Sequence, residues 1–288
     1  MTGTTTFREN RLPTATPTFA DNIQGEWRAA VENRDDMVIV RPTRYDDRDH
    51  VSEHSHSRSQ LLYAMSGVVT VTTAAGRWML PPEHALWIPA GTVHAVDIDG
   101  DVEMRSVYVK PDAIAGLPRH LHVAAPTPLM RSLINAASAL FIDDETGGPR
   151  TPVDDGRSQY IMGCLLHEIP NLKERPLGLA LPADPRLAAL CHDFLAAPSP
   201  HSDIDGWASA LGMSRRTFTR HFRRQTGLSL STWRQQALLM AALPRLSAGE
   251  TITAVALDLG YDSVPAFTTM FRRMLGVAPR RYFAAVRR

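Results

Sequence analysis

His54 and His56 stand two residues apart in "HSHSRSQ", Gln60 closes that stretch, and His94 ends "PAGTVH" further on. Side chains alternate along a strand, so His54 and His56 would share one face. Three imidazoles gathered from neighbouring strands form a ligand set for Zn, Fe, Mn or Ni, with coordination positions left open. Gln60 would add a neutral carboxamide, a weaker ligand than a carboxylate and poorly suited to hard, highly charged metals. Two other readings stand beside this one. The same side chains could line a pocket for an organic molecule, or they could be structural, with Pro89 and Gly91 turning the chain between strands. His50, His84 and the pair His120/His122 match no closed site, and exposure to solvent is expected for them.

Elements of short period must position these residues. Between about Met37 and Lys110 the runs "MVIVR", "LLYAM", "GVVTVTT", "GRWML", "HALWI", "HAVDI" and "VEMRSVYV" are β-branched or aromatic, with Gly, Pro and Asp between them. This punctuation predicts a sandwich or small barrel. A hairpin should turn at Ala74–Gly76. Tyr63, Trp78 and Trp87 lie on or near these strands, where they pack the core or line an interior pocket.

The chain is 288 residues long, which predicts two domains, and its net charge of +1 conceals a division. From residue 205 onward thirteen Arg, no Lys and four acids give +9, while the preceding residues carry −8. A basic block beside an acidic partner predicts a polyanion-binding end. No run of about 18 apolar residues is present, so no membrane span is expected. The N-terminus shows no secretory signal, and the Thr- and Pro-rich residues 1–23 are expected to form a flexible tail. Cys164 and Cys191 form no CxxC pair and fall in apolar helical patterns, which predicts buried thiols in a reducing cytoplasm.

The basic block contains a repeat. "WASALGMSRRTFTRHFRRQTGLS" and "VALDLGYDSVPAFTTMFRRMLGVAP" align with one insertion at Asp262, matching Gly212 with Gly260, Ser214 with Ser263, Phe218 with Phe267 and Phe222 with Phe271. Each copy reads as helix, turn, helix. Asp203 and Thr251 cap the first helices, and Ser214 and Ser263 cap the second. The Phe pairs, four residues apart, share a buried face, while Arg215, Arg216, Thr219, Arg220 and Arg223 face outward. An apolar stripe opposite an Arg-rich one fits a recognition helix in a DNA major groove. A helical hairpin with a solvated basic surface is the alternative.

The tail from about Leu181 to Arg288 resembles the DNA-binding domain of AraC/XylS-type transcription regulators, most closely in "ITAVALDLGYDSVPAFTTMFRRMLGVAPRRY". The resemblance implies seven helices with two helix-turn-helix units joined by a linker helix, here "STWRQQALLMAAL". By position, it implies base reading by Arg216, Thr219 and Arg220 in the first unit. In the second, the positions are Val264, Pro265, Thr268 and Thr269. Arg215, Arg223, Arg224, Arg272 and Arg273 are expected at phosphates. Pro244 near the end of the linker predicts that this helix stops near Leu243. The head, with H-x-H-x3-Q-x6-G and "PAGTVH", resembles the two motifs of the cupin superfamily, a double-stranded β-helix or jelly roll. Gln60 occupies the position where metal-binding cupins carry Glu.

The expected fold is thus α+β with two domains: an N-terminal cupin and a C-terminal all-α domain with two helix-turn-helix units. The expected order is barrel at 24–120, helices at 121–176, linker at 177–185 and DNA-binding domain at 186–288, with units near 204–227 and 252–276. Family likeness implies dimerisation through the middle helices. The first functional reading is a cytoplasmic, dimeric transcription regulator, not an enzyme. It binds double-stranded DNA and senses a small molecule or a divalent transition metal. RNA polymerase is a partner if it activates, and efflux or drug-resistance genes are expected targets. The alternative is a metal-dependent cupin enzyme, a dioxygenase or isomerase, with an accessory DNA-binding tail.

Overall fold

The computed structural model describes residues 31–32, 34–140, 156–201 and 203–286. The expected N-terminal tail and most of the loop between the middle helices lie outside these residues. Eight strands come first: β1 (Val38–Tyr45), β2 (His50–His54), β3 (Ser59–Ala64), β4 (Val68–Thr73), β5 (Gly76–Leu80), β6 (His84–Ile88), β7 (His94–Asp99) and β8 (Val102–Val109). Then follow β9 (His122–Ala125), helices α1 (Pro128–Ser138) and α2 (Gly156–Glu168), and strands β10 (Lys173–Arg175) and β11 (Gly178–Ala180).

The strands make two antiparallel sheets, ordered β1-β8-β3-β6-β9-β10 and β11-β5-β4-β7-β2. The β4–β5 hairpin pairs Thr73 with Gly76, so it turns where the sequence predicts. The apolar faces of the sheets meet in a sandwich core of Leu62, Ala64, Val69, Val71, Leu86, Ile88, Val96 and Met104. The outer face of the first sheet packs against the helices: Leu61, Tyr63, Trp87 and Val107 meet Met130, Ile134 and Leu165. Tyr63 and Trp87 therefore face the helical layer, not the sandwich interior, because strand alternation sends odd-numbered residues of β3 and β6 outward. Trp87 Nε1 donates to Pro118 O at 2.8 Å.

β9, β10 and β11 are too short to show a period in the sequence. Their pairing carries the sandwich past residue 120, and the segment expected as a linker at 177–185 opens with β11, hydrogen-bonded along β5. Of the two cysteines expected to be buried, Cys191 is, with burial pushing its thiol pKa up to about 12. Cys164 is exposed, since α2 packs its other face on the first sheet. His84 and His122 also depart from expectation. Both are buried, at 9 % and 5 % exposure, because tertiary packing covers the strands that carry them.

Seven helices complete the chain: α3 (Pro185–Ala196), α4 (Ile204–Ala210), α5 (Arg215–Thr226), α6 (Leu230–Ser247), α7 (Ile252–Asp258), α8 (Val264–Leu275) and α9 (Pro279–Val286). The expected caps are in place. Asp203 Oδ2 accepts from Gly206 N, Ser214 Oγ from Thr217 N, Thr251 Oγ1 from Ala254 N and Ser263 Oγ from Ala266 N. Gly212 and Gly260 take φ of +65° and +81° between the helices of each unit, a region that costs glycine little. α6 corrects the expected stop near Leu243: it runs through Pro244 to Ser247, about 27 Å at 1.5 Å per residue. The proline falls in the last turn, and its carbonyl accepts from Ala248 N at 2.9 Å. Arg245 then bonds Glu250 and Asp258, each at 2.6 Å, holding the helix end against α7.

The two halves meet over a shared core in which Leu177 and Leu179 join the apolar cluster of the helical domain. Trp233 Nε1 donates to Ala180 O at 2.8 Å. Tyr282 on α9 brings its hydroxyl to 3.3 Å from Nδ1 of His84, which also meets Pro82 O at 3.1 Å. Burial lowers the His84 pKa from 6.5 to about 4, and the positive charges of Arg175 and Arg131 act in the same direction.

Two outcomes are expected. The unfolded chain takes up the His84 proton more readily than the folded one. The stabilisation is therefore complete above pH 6.5 and is lost as pH falls toward about 4. His84→Gln should flatten the acid slope of the urea-unfolding midpoint over that window relative to wild type. Ser214→Ala should cost about 0.5–2 kcal/mol, read as a lower unfolding midpoint of the C-terminal half.

Candidate functional site

The three expected histidines converge. β2 and β7 pair antiparallel with His54 directly opposite His94, and a bulge between Val51 and His54 adjusts the register. His56 follows two residues after β2 ends. Ring centroids lie 4.3 Å apart for His54–His94, 5.3 Å for His56–His94 and 6.2 Å for His54–His56. One ligand atom from each falls within 4.8 Å of the others, so a single ion can reach all three.

Each ring is oriented from behind by main chain. His54 Nδ1 donates to Ser52 O at 2.8 Å, His94 Nδ1 to Thr92 O at 2.9 Å and His56 Nδ1 to Arg58 O at 2.5 Å. A neutral imidazole with its proton on Nδ1 carries its lone pair on Nε2. Such outer hydrogen bonds fix the tautomer of metal-ligating histidines. Gln60 comes from the facing sheet, on the interior side of β3, and its Oε1 stands 3.1 Å from His56 Nε2. Its Nε2 donates to Ser106 Oγ at 3.0 Å and to Tyr108 Oη at 3.2 Å. An imidazolium would donate from Nε2 to Gln60 Oε1, and with the proton on Nδ1 alone a cation can take that place between the two acceptors. The donor set of three imidazoles and one carboxamide oxygen fits a borderline divalent transition metal better than Mg or Ca. Ser106 and Tyr108 were not singled out in the sequence. Only the pairing of β3 with β8 brings them to Gln60.

Other histidines make separate arrangements. His50 Nδ1 pairs with Asp97 at 2.8 Å, and His120 lies 3.5 Å from Glu174.

The helical domain presents its basic residues as expected. Phe218 and Phe222 are buried beside Trp233 and the half-buried Trp207, with ring centroids 5.9–6.3 Å apart. Arg215, Arg216, Thr219, Arg220, Arg223 and Arg224 are all exposed on α5. Arg215 pairs with Asp205 at 3.3 Å. Arg224 donates to His221 Nδ1 at 2.9 Å, and His221 Nε2 donates to Asp184 at 3.2 Å, so Arg224 is drawn toward the base of α3. On α8, Pro265, Thr269, Arg272 and Arg273 are exposed, while Val264 and Thr268 are half-buried. The hydroxyls of Thr219 and Thr269 donate back to Arg215 O and Pro265 O within their helices.

Comparison with known proteins finds two family models along the chain, the first running into α3. Residues 37–194 match the family model described as the AraC-like ligand binding domain, and residues 207–285 match a helix-turn-helix domain. The chain is similar to the HTH-type transcriptional regulator NimR of Escherichia coli strain K12, at 32 % identity over 231 residues. That alignment spans 80 % of this chain and 81 % of NimR. Among solved structures it is similar to the DNA-binding domain of AdpA in complex with a target DNA. The identity is 33 %, the coverage 35 % of this chain and 93 % of that one, and the TM-score 0.34. It is also similar to a cupin superfamily protein from Desulfitobacterium hafniense, at 25 % identity, 27 % and 71 % coverage and a TM-score of 0.26. A sandwich head matched to a ligand-binding family and a tail of paired helix-turn-helix units make this chain a member of the AraC family, a DNA-binding transcription regulator with an N-terminal ligand-binding domain.

Proposed function

We propose that the chain is a non-enzymatic, cytoplasmic regulator whose ligand-binding domain responds to a divalent transition metal. His54, His56 and His94 would hold the ion, with Gln60 Oε1 beside them. The observation that carries this reading is the common anchoring of the three rings, each Nδ1 on a main-chain carbonyl. A bound ion supplies charge and a fixed geometry there. Among the described residues beside it, Gln60, Ser106 and Tyr108 are neutral side chains that hold one another, with no carboxylate among them. This favours sensing over the cupin-enzyme reading.

On DNA, α5 is assigned the base-specific hydrogen bonds through Arg216 and Arg220, with Thr219 offering its methyl. α8 would read thymine methyls and shape through Val264, Pro265, Thr268 and Thr269, while Arg272 and Arg273 hold phosphates. α1 and α2 would form a homodimer interface. Leu129 and Tyr160, at 56 % and 78 % exposure, supply apolar surface on those helices. The ion would act by population shift, binding one domain arrangement more tightly than another. RNA polymerase would be the further partner of an activator.

Fluorescence anisotropy on the chain's own upstream DNA, against a scrambled duplex at equal salt, tests this. Loading with Zn, Ni, Mn or Fe should change specific affinity, and His56→Ala and His94→Ala should abolish the change. Operator affinity that ignores every metal in wild type would overturn the metal reading and leave the regulator intact. Arg216→Ala or Arg220→Ala should weaken specific binding by about 1–3 kcal/mol and relax preference at particular base pairs. Arg273→Ala should instead weaken all sequences alike and flatten the salt dependence.

A further inference from the structure

A crevice of ≈490 Å³ opens between the two domains, at the opposite edge of the second sheet from the three histidines. Trp78, His122, Arg175 and Gly178 line it from the sheets, and Thr226, Leu228 and Gln236 line it from α5, its C-terminal turn and α6. The indole of Trp78 forms part of the sheet wall. A Cβ on Gly178 would stand 2.6 Å from Trp78 Nε1, so only glycine lets the indole lie against the β11 backbone.

Gln236 is 4 % exposed, and its Oε1 is buried with no hydrogen-bond partner among the described residues. A carboxamide left unpaired in such a place costs about 1–3 kcal/mol, and natural structures rarely keep one without a use. Its two ends exchange by a flip, so it can offer either a donor or an acceptor to an occupant. Arg175 forms no ion pair among the described residues, whereas its neighbour Glu174 is engaged by His120 at 3.5 Å. His122 Nδ1 donates to His120 O at 3.1 Å.

We infer that this crevice is a second effector site, for a small planar aromatic carboxylate. The ring would stack on Trp78, the carboxylate would meet Arg175, and a polar ring substituent would reach Gln236. Arg suits the carboxylate because its planar fork bonds both oxygens. The inference rests on the regulator function and is independent of the metal. An occupant would touch the sensor sheet and the C-terminal end of α5, the helix whose other end carries Arg216. It would thereby bias how the first DNA-reading unit sits on the sensor.

The test uses the full chain labelled with 5-fluorotryptophan, its Trp78 resonance assigned with Trp78→Phe. Indole-3-acetate and salicylate are titrated beside neutral indole-3-acetamide. A saturable shift of the Trp78 resonance is expected with the carboxylates, and Arg175→Met should weaken it about tenfold or more while sparing the amide. Gln236→Leu should weaken every probe yet raise the unliganded unfolding midpoint, because it removes an unpaired buried polar group. No saturable shift with any probe, or carboxylate binding unchanged in Arg175→Met, overturns the site. A Gln236→Leu chain less stable than wild type overturns the role of the carboxamide. Operator binding without probe, measured on the same samples, reports separately on the regulator function.

Discussion

Trp233 is where the two halves of the chain depend on each other. Its ring is fully buried on α6 and meets Phe194, Trp207 and Phe222 at centroid separations of 5.7–6.3 Å, so it packs the linker helix onto α3 and the first helix-turn-helix unit. Its one polar atom donates to Ala180 O on β11, the strand that borders the second sheet. A buried indole N–H needs a partner, and here the partner belongs to the sensor. This hydrogen bond ties the aromatic core of the helical domain to the edge of the second sheet. Gln225 reinforces the joint, its Oε1 accepting from Ala183 N and Asp184 N just past that strand.

The two proposed sites lie at different edges of the second sheet. At one, β2 and β7 bring His54 opposite His94. At the other, β5 and β11 abut α6 and wall the crevice. Under the two proposals, an ion would act from the histidine edge, whereas an occupant of the crevice would touch both domains directly. Either one shifts the equilibrium only by its difference in affinity for the two arrangements. Arg245, bonded to Glu250 and Asp258, stiffens the far end of α6 and so keeps the second unit in step with the first.

Much of the site was legible because it was written in local spacing. The caps Asp203, Ser214, Thr251 and Ser263 act on amides two or three residues away, and the Phe pairs share a face because a helix turns every 3.6 residues. The histidine motif was legible as a set of residue types, although β2 ends at His54 and His56 reaches the site from the segment after the strand, not by strand alternation. Pro244 misled because propensity speaks for a helix interior, and in the last turn few bonds remain to be lost. Cys164, His84 and His122 were misread because burial depends on which surface a distant element covers.

The sequence by itself determined the two-domain plan, the duplicated helix-turn-helix with its basic outer face, and the candidate ligand set of three histidines and a glutamine. Each of these rests on periods, caps or charge that a few neighbouring residues specify. Tertiary structure alone decided the order of strands in the sheets and the approach of Ser106 and Tyr108 to Gln60. It also placed Tyr282 on His84 and opened the crevice lined by Trp78, Arg175 and Gln236. All of these join residues far apart in the chain. Such contacts are chosen by which apolar faces bury one another, and no local pattern records that choice.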